Sequence, residues 1–227
     1  IAYLQTLDKN QLPQYPMKKI AVLVLLAIFF GAGIYIGKVK FSASGPAAPP
    51  PTFFEGGDGA MAVDLSEKTV IEVKDGESIQ DAVGKANPGD LIRVYPGTYR
   101  ETVYIDKDNI SLQGVIQKGK WPTLDGSENG EATLNDAILY SGSNILIENF
   151  KIVLYKGNAI MGQAGNNFLI RNNWIVDSGI YGIFPEFGKN GLIEHNVLSG
   201  ISDAAIYVGM CDNIDVRHNE VYESVAG

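Results

Sequence analysis

Four stretches decide the fold: Asn144-Ile-Leu-Ile-Glu-Asn-Phe150, Asn167-Phe-Leu-Ile-Arg-Asn-Asn173, Asn190-Gly-Leu-Ile-Glu-His-Asn196 and Asn213-Ile-Asp-Val-Arg-His-Asn219. Their leading asparagines recur with a step of 23 residues. A fixed period of this length marks a solenoid. Three places after the Asn stands Ile147, Ile170, Ile193 or Val216; eight places after it stands Ile152, Ile175, Leu198 or Val221. Later in each complete unit a small residue precedes an isoleucine: Ala159-Ile160, Gly182-Ile183, Ala205-Ile206. Each unit therefore holds three short β-prone runs separated by Asn, Gly, Ser and Asp, and no helix-period stripe fits it.

Three short strands bury their apolar side chains only by stacking on a copy of themselves. The expected fold is all-β, a parallel β-helix in which one unit makes one turn and equivalent residues align about 4.7–4.9 Å apart. Asn144, Asn167, Asn190 and Asn213 suit left-handed turns and can bond one another amide to amide. Asn173, Asn196 and Asn219 make a second column, which Phe150 breaks in the first unit. One further column reads Glu148, Arg171, Glu194, Arg217. Its alternating signs predict an exposed charge ladder that fixes register, at roughly 0–1 kcal/mol per pair.

Upstream, Thr69–Val73 reads as a strand, and Ser78 with Asp81 reads as the capping box of a short helix. Ile79, Ala82, Val83 and Ala86 give that helix one apolar face, and Asn87-Pro88-Gly89-Asp90 stops it. Two turns of helix are marginal alone. They make sense as a lid on the open end of the solenoid. Glu77-Ser-Ile-Gln-Asp-Ala-Val83, Pro88-Gly89-Asp90 and Val94-Tyr-Pro-Gly-Thr-Tyr-Arg-Glu101 resemble the N-terminal cap of the pectin-lyase-like right-handed parallel β-helix superfamily. NosD-like periplasmic proteins and pectin methylesterases carry similar text, Ser202–Gly209 followed by Asn213–Asn219 resembles exported β-helix repeat proteins, and the resemblance runs over 69–227. It implies a right-handed coil and speaks weakly to activity. Ser127–Asp136 is a polar excursion: Asn109 to Asn144 is 35 residues rather than 23.

The chain has 227 residues, a net charge of −8 and one cysteine, Cys211. The acidic balance argues against nucleic acid as a partner. Residues 1–16 carry no pattern. Residues 17–40 open with Met17-Lys18-Lys19 and continue as an uncharged apolar run, Ile20 to Ile36, read as a signal peptide or an N-terminal membrane anchor. Residues 41–68 are a Pro/Gly/Ala-rich linker, and 69–227 is the β-helix, expected to continue past Gly227. The expected location is extracytoplasmic, periplasmic or at the cell surface, with residues 20–36 as the membrane tether.

Chemistry is less legible. Trp174, Tyr181, Phe184 and Phe187 fall in one unit and are the expected ligand-facing aromatics. His195 and His218, the two histidines of the chain, fall one step apart and are the candidate metal ligands, with Asp215 as a third. The bland alternative is a surface histidine pair. No carboxylate pair is marked out by spacing, and the pectin methylesterase motifs are absent. The sequence favours a module that binds polysaccharide or an envelope component without turnover and establishes no cofactor. The alternatives are a lyase or epimerase acting on acidic glycans, which would bring Ca²⁺, and a NosD-like metal-handling accessory protein.

Overall fold

A computed structural model describes residues 69–225. The expected leader, anchor and linker at 1–16, 17–40 and 41–68 lie outside the described residues. Among the described residues no helix is long and apolar enough to cross a membrane.

Three parallel sheets run the length of the solenoid. The first has seven strands, from Val70–Val73 through Leu91–Val94, Ser111–Gly114, Leu146–Glu148, Leu169–Arg171 and Lys189–Glu194 to Asp212–Arg217. The second has six strands, from Gly97–Tyr99 to Glu220–Tyr222, and the third has four, from Val103–Ile105 to Ile183–Glu186. Consecutive coils pair in register, so Ile147, Ile170, Ile193 and Val216 stand over one another. Ile152, Ile175, Leu198 and Val221 do the same in the second sheet, and Ile138, Ile160, Ile183 and Ile206 in the third. These three inward columns form one core. Each buried Leu, Ile or Val contributes roughly 1.5–3 kcal/mol relative to exposure.

The corners between sheets are left-handed. Asn109, Asn144, Asn167, Asn190 and Asn213 have φ between 54° and 60°. Asn149, Asn172, His195 and His218 share the conformation at the next corner, and Leu154, Asp177, Gly200 and Glu223 at the third. This conformation costs a residue with a Cβ about 1–2 kcal/mol, least for Asn, Asp and His. The Asn-to-His change at the second corner is thus a change between two residues that tolerate the same backbone.

The helix Ile79–Lys85 buries Ile79, Ala82 and Val83 against the first coil. The expected capping box is half present: Ser78 Oγ accepts from Asp81 N at 3.1 Å. The other half is supplied one coil later. Glu101 accepts from Ile79 N at 2.8 Å, Gln80 N at 2.9 Å and Ser78 Oγ at 2.8 Å. At the far end Lys107 Nζ donates to the carbonyls of Val83, Gly84 and Ala86. An acid at the N-terminus and a base at the C-terminus both match the helix dipole. Gln80 Oε1 also accepts from Tyr104 N, so the helix occupies the third-sheet position of the first coil and satisfies that sheet's edge.

The polar excursion contains a hairpin, Ser127–Glu128 against Glu131–Ala132. Asn129 and Gly130 turn it with φ of 53° and 83°. Two adjacent positive φ values define the tight turn that Asn-Gly favours.

Candidate functional site

The outer face of the third sheet gathers the chemistry-bearing side chains. Its inward positions are the isoleucine column, so alternation points Tyr104, Leu139, Met161 and Phe184 outward in one row. The bridge between Ile183 and Ile206 extends that row to Tyr207. A parallel row holds Gln163 and Glu186.

Three rings meet here. Tyr181 and Tyr207 stack with centroids 5.0 Å apart and planes 16° from parallel. Phe184 stands edge-on to Tyr181 at 5.0 Å and tilted to Tyr207 at 5.1 Å. Such pairs contribute about 0.5–1.5 kcal/mol beyond burial, enough to hold the rings as a platform. Ile180, Phe187, Val208 and Met210 are exposed on the same two coils, as is Tyr207. Large apolar side chains left in water this close together mark a binding surface more often than a chance surface.

The polar rim is acidic. Burial pushes the Glu186 carboxyl above its ordinary range. Burial, joined by Asp203, Tyr207 and Glu186, pushes the Tyr181 hydroxyl up. Tyr181 N donates to Asn158 Oδ1 at 3.2 Å, and Asn158 donates through N and Nδ2 to Asp136 Oδ1 at 2.7 and 2.9 Å. Burial raises Asp136 as well, with the two Asn158 hydrogen bonds acting against it. This chain of hydrogen bonds fixes the backbone that carries Tyr181.

The four expected aromatics divide between faces. Tyr181 and Phe184 belong to the platform, and Phe187 lies exposed at the end of the same strand, at a left-handed corner with φ 55°. Trp174 is on the second sheet, edge-on to Trp121 at 6.0 Å, with Lys151 Nζ 4.1 Å above its ring. It takes no part in the platform. Tyr207 completes the trio and was absent from the expected set, although the 23-residue step places it over Phe184.

His195 and His218 stack with centroids 5.2 Å apart and planes 11° from parallel. Asp215 is engaged elsewhere: its carboxylate lies 3.4 Å from Arg217 Nη1. Among the described residues no three His, Cys, Asp or Glu side chains are grouped to hold a metal ion. Cys211 is tied into its corner, Sγ accepting from Gly188 N at 3.2 Å, and burial pushes its thiol up. A raised thiol is a poor nucleophile at neutral pH.

The charge column differs from the expected exposed ladder. Glu148 and Glu194 are buried. Arg171 Nε bonds Glu148 at 2.6 Å and Arg217 Nε bonds Glu194 at 3.0 Å, while Gln113 Nε2 donates to Glu148 at 2.7 Å. Each glutamate takes one arginine, from the following coil. A buried carboxylate that loses its partner costs several kcal/mol, so these pairs fix register more firmly than surface pairs do.

The family described as right handed beta helix region matches residues 114–227, half of the chain. The chain belongs to that family. The right-handed β-helix expected from the repeat and from the cap is thus shown, at 23 residues per coil. Comparison with curated proteins gave no match, and comparison with solved structures gave none.

Proposed function

We propose that this right-handed β-helix is a binding module for a polysaccharide, which it takes along the outer face of the third sheet without breaking it. The observation that carries the reading is the trio of Tyr181, Phe184 and Tyr207, with rings 5.0–5.1 Å apart on a rigid sheet. Flat aromatic faces offer large apolar area at small entropic cost, and the apolar faces of sugar rings suit them. Gln163 and Glu186 supply hydrogen-bonding groups on the same strands as the rings.

The charge of this face bears on the ligand class. Tyr104, Leu139, Met161, Gln163, Phe184, Glu186 and Tyr207 include no positive charge. Glu186 already pays for partial burial, and a polyanion laid on it would add repulsion. A neutral glycan fits better than a polyuronate. The finer likeness to the pectin-lyase-like superfamily rests on the cap text at Glu77–Glu101, and export and tethering rest on Met17–Lys40; both belong to this proposal.

The test is titration calorimetry with neutral and acidic glycans, with and without Ca²⁺, while the same mixtures are assayed for new reducing ends and unsaturated uronates. Binding of a neutral glycan without product, weakened at least tenfold by Tyr181→Ala with Tyr207→Ala, is expected. New unsaturated ends would make the protein a lyase. Binding unaffected by the two substitutions would move the site off this face.

A further inference from the structure

The chain contains two Asn-Gly dipeptides, Asn129-Gly130 and Asn190-Gly191. The pair is labile chemistry, because glycine has no side chain to keep its amide nitrogen away from the Cγ of the preceding asparagine. Both asparagines are exposed and left-handed, with φ of 53° and 55°. The fold treats them in opposite ways. Asn190 is a rung of an amide ladder: its Nδ2 donates to Asn167 Oδ1 at 3.3 Å, and its Oδ1 accepts from Asn213 Nδ2 at 2.8 Å. Gly191 lies within the strand Lys189–Glu194, in register with Ile214 of the next coil, and is buried against the Phe168 ring, where a Cβ would not fit. Asn129 and Gly130 instead form the turn of a hairpin whose strands, Ser127–Glu128 and Glu131–Ala132, have two residues each. Among the described residues neither the Asn129 amide nor the Gly130 N–H makes a hydrogen bond. A Cβ placed on Gly130 would meet nothing within 4 Å.

We propose that Asn129 is a site of spontaneous deamidation and that Asn190, with the same dipeptide, is not. The Gly130 nitrogen gives up its proton and attacks Asn129 Cγ. An N–Cγ bond forms, the Cγ–Nδ2 bond breaks, and Nδ2 leaves with the proton as ammonia. Water then adds to one carbonyl of the resulting succinimide and opens it to aspartate or isoaspartate. No electrons change hands, and water is the sole co-reactant. At the hairpin the attack needs only local opening of two short strands. At Asn190 the same attack must break two amide links and lift Gly191 out of a paired strand. The new carboxylate stands between the exposed Glu128 and Glu131. Isoaspartate also routes the main chain through the side-chain carbon, which a two-residue turn cannot accommodate. The change stays within the hairpin, because its base is clamped: Gly126 O accepts from Thr133 N at 2.8 Å, Leu134 N at 3.0 Å and Thr133 Oγ1 at 3.1 Å. The inference is independent of the glycan reading, which rests on the aromatic trio.

The experiment is incubation of the full chain in mildly alkaline buffer, native and in concentrated urea, with both dipeptides followed by peptide mapping and mass spectrometry. The Asn129→Asp variant supplies the chromatographic marker that separates the aspartyl product from the isoaspartyl one. In the native protein Asn129 is expected to convert at least about tenfold faster than Asn190, because only the second waits for the coils to open. In urea the two rates should come within about twofold of each other, since the fold no longer distinguishes them. Native conversion at Asn190 that matches or exceeds that at Asn129 would overturn the proposal. So would a native Asn129 that survives while the unfolded chain converts.

Discussion

Two columns of asparagine climb this solenoid with the same 23-residue step, and they are held for different reasons. In the exposed column Asn167 Nδ2 donates to Asn144 Oδ1 at 3.0 Å, Asn190 to Asn167 at 3.3 Å and Asn213 to Asn190 at 2.8 Å. One amide link joins each coil to the next, in water, and every residue is left-handed. In the second column Asn173 and Asn196 are completely buried, and neither is left-handed. Asn196 Oδ1 accepts from Asn173 N and Nδ2, both at 3.0 Å. Its Nδ2 lies 3.0 Å from Ile170 O, 2.9 Å from Asn219 Oδ1 and 3.1 Å from Glu194 O. Outside, the residue is wanted for its backbone; inside, for its amide. Repetition in a sequence identifies a column without saying which property is being repeated.

Substitution separates the two. Asn196→Ala should cost the most, about 4 kcal/mol, because it strands at least two buried backbone groups at roughly 1–3 kcal/mol each; urea denaturation reads the loss. A cost equal to that of the exposed column would erase the distinction. Phe150→Asn comes next. It restores the missing amide above Asn173, whose Oδ1 now accepts from Phe150 N at 3.1 Å, but it empties a fully buried ring site. The cavity should win, with a net loss of about 3 kcal/mol. A gain in stability would mean that ladder continuity outweighs packing.

Asn167→Ala and Asn167→Gly then divide the exposed column into its parts. Alanine loses the amide and strains the left-handed backbone, and should cost about 1–2 kcal/mol. Glycine loses only the amide link, and should cost a few tenths. Similar losses for both would show that the amide, not the backbone, selects Asn there.

The smallest effect is one of pH. Asp136 holds a place among amides, accepting twice from Asn158, and burial raises its carboxyl above the ordinary 3.8. Between 3.8 and the raised value the folded state holds more protons than the unfolded chain, so stability falls as pH rises through that window. An Asn side chain offers the same accepting oxygen. Asp136→Asn should therefore flatten the profile and match or exceed wild type at neutral pH, by thermal melting across acid to neutral buffers. An unchanged slope would assign the effect to another group.

Much of this was legible because a coil repeats. The step alone stacks Ile147 on Ile170 on Ile193, and it also puts Tyr207 over Phe184, a consequence that reading by unit rather than by column overlooks. The cap helix was legible through Ser78 and its apolar spacing. Glu101 was not, because it is distant along the chain and adjacent only after one full coil. The left-handed backbone of Leu154, Phe187 and Met210 leaves no compositional trace, since nothing in those side chains prefers it. Alternation correctly sends Glu148 and Glu194 outward, but it cannot say that each will be held by the arginine of the following coil. Asn129-Gly130 was a signal present and unused: the dipeptide predicts the hairpin that forms there.

That hairpin changes how the gene can vary in length. The coils on either side of it stay in register, Ser111 beside Leu146, although 35 residues rather than 23 separate Asn109 from Asn144. The extra chain is discharged at two corners, the Gln117–Lys120 turn before the second sheet and the Asn129–Gly130 hairpin after it, without displacing a single rung. Insertions at Gly130, where the turn is exposed, should be heritable at any size that folds, including whole domains. Within the strands the same freedom is quantised, because one added residue turns every following side chain to the opposite face while a whole coil only lengthens the molecule.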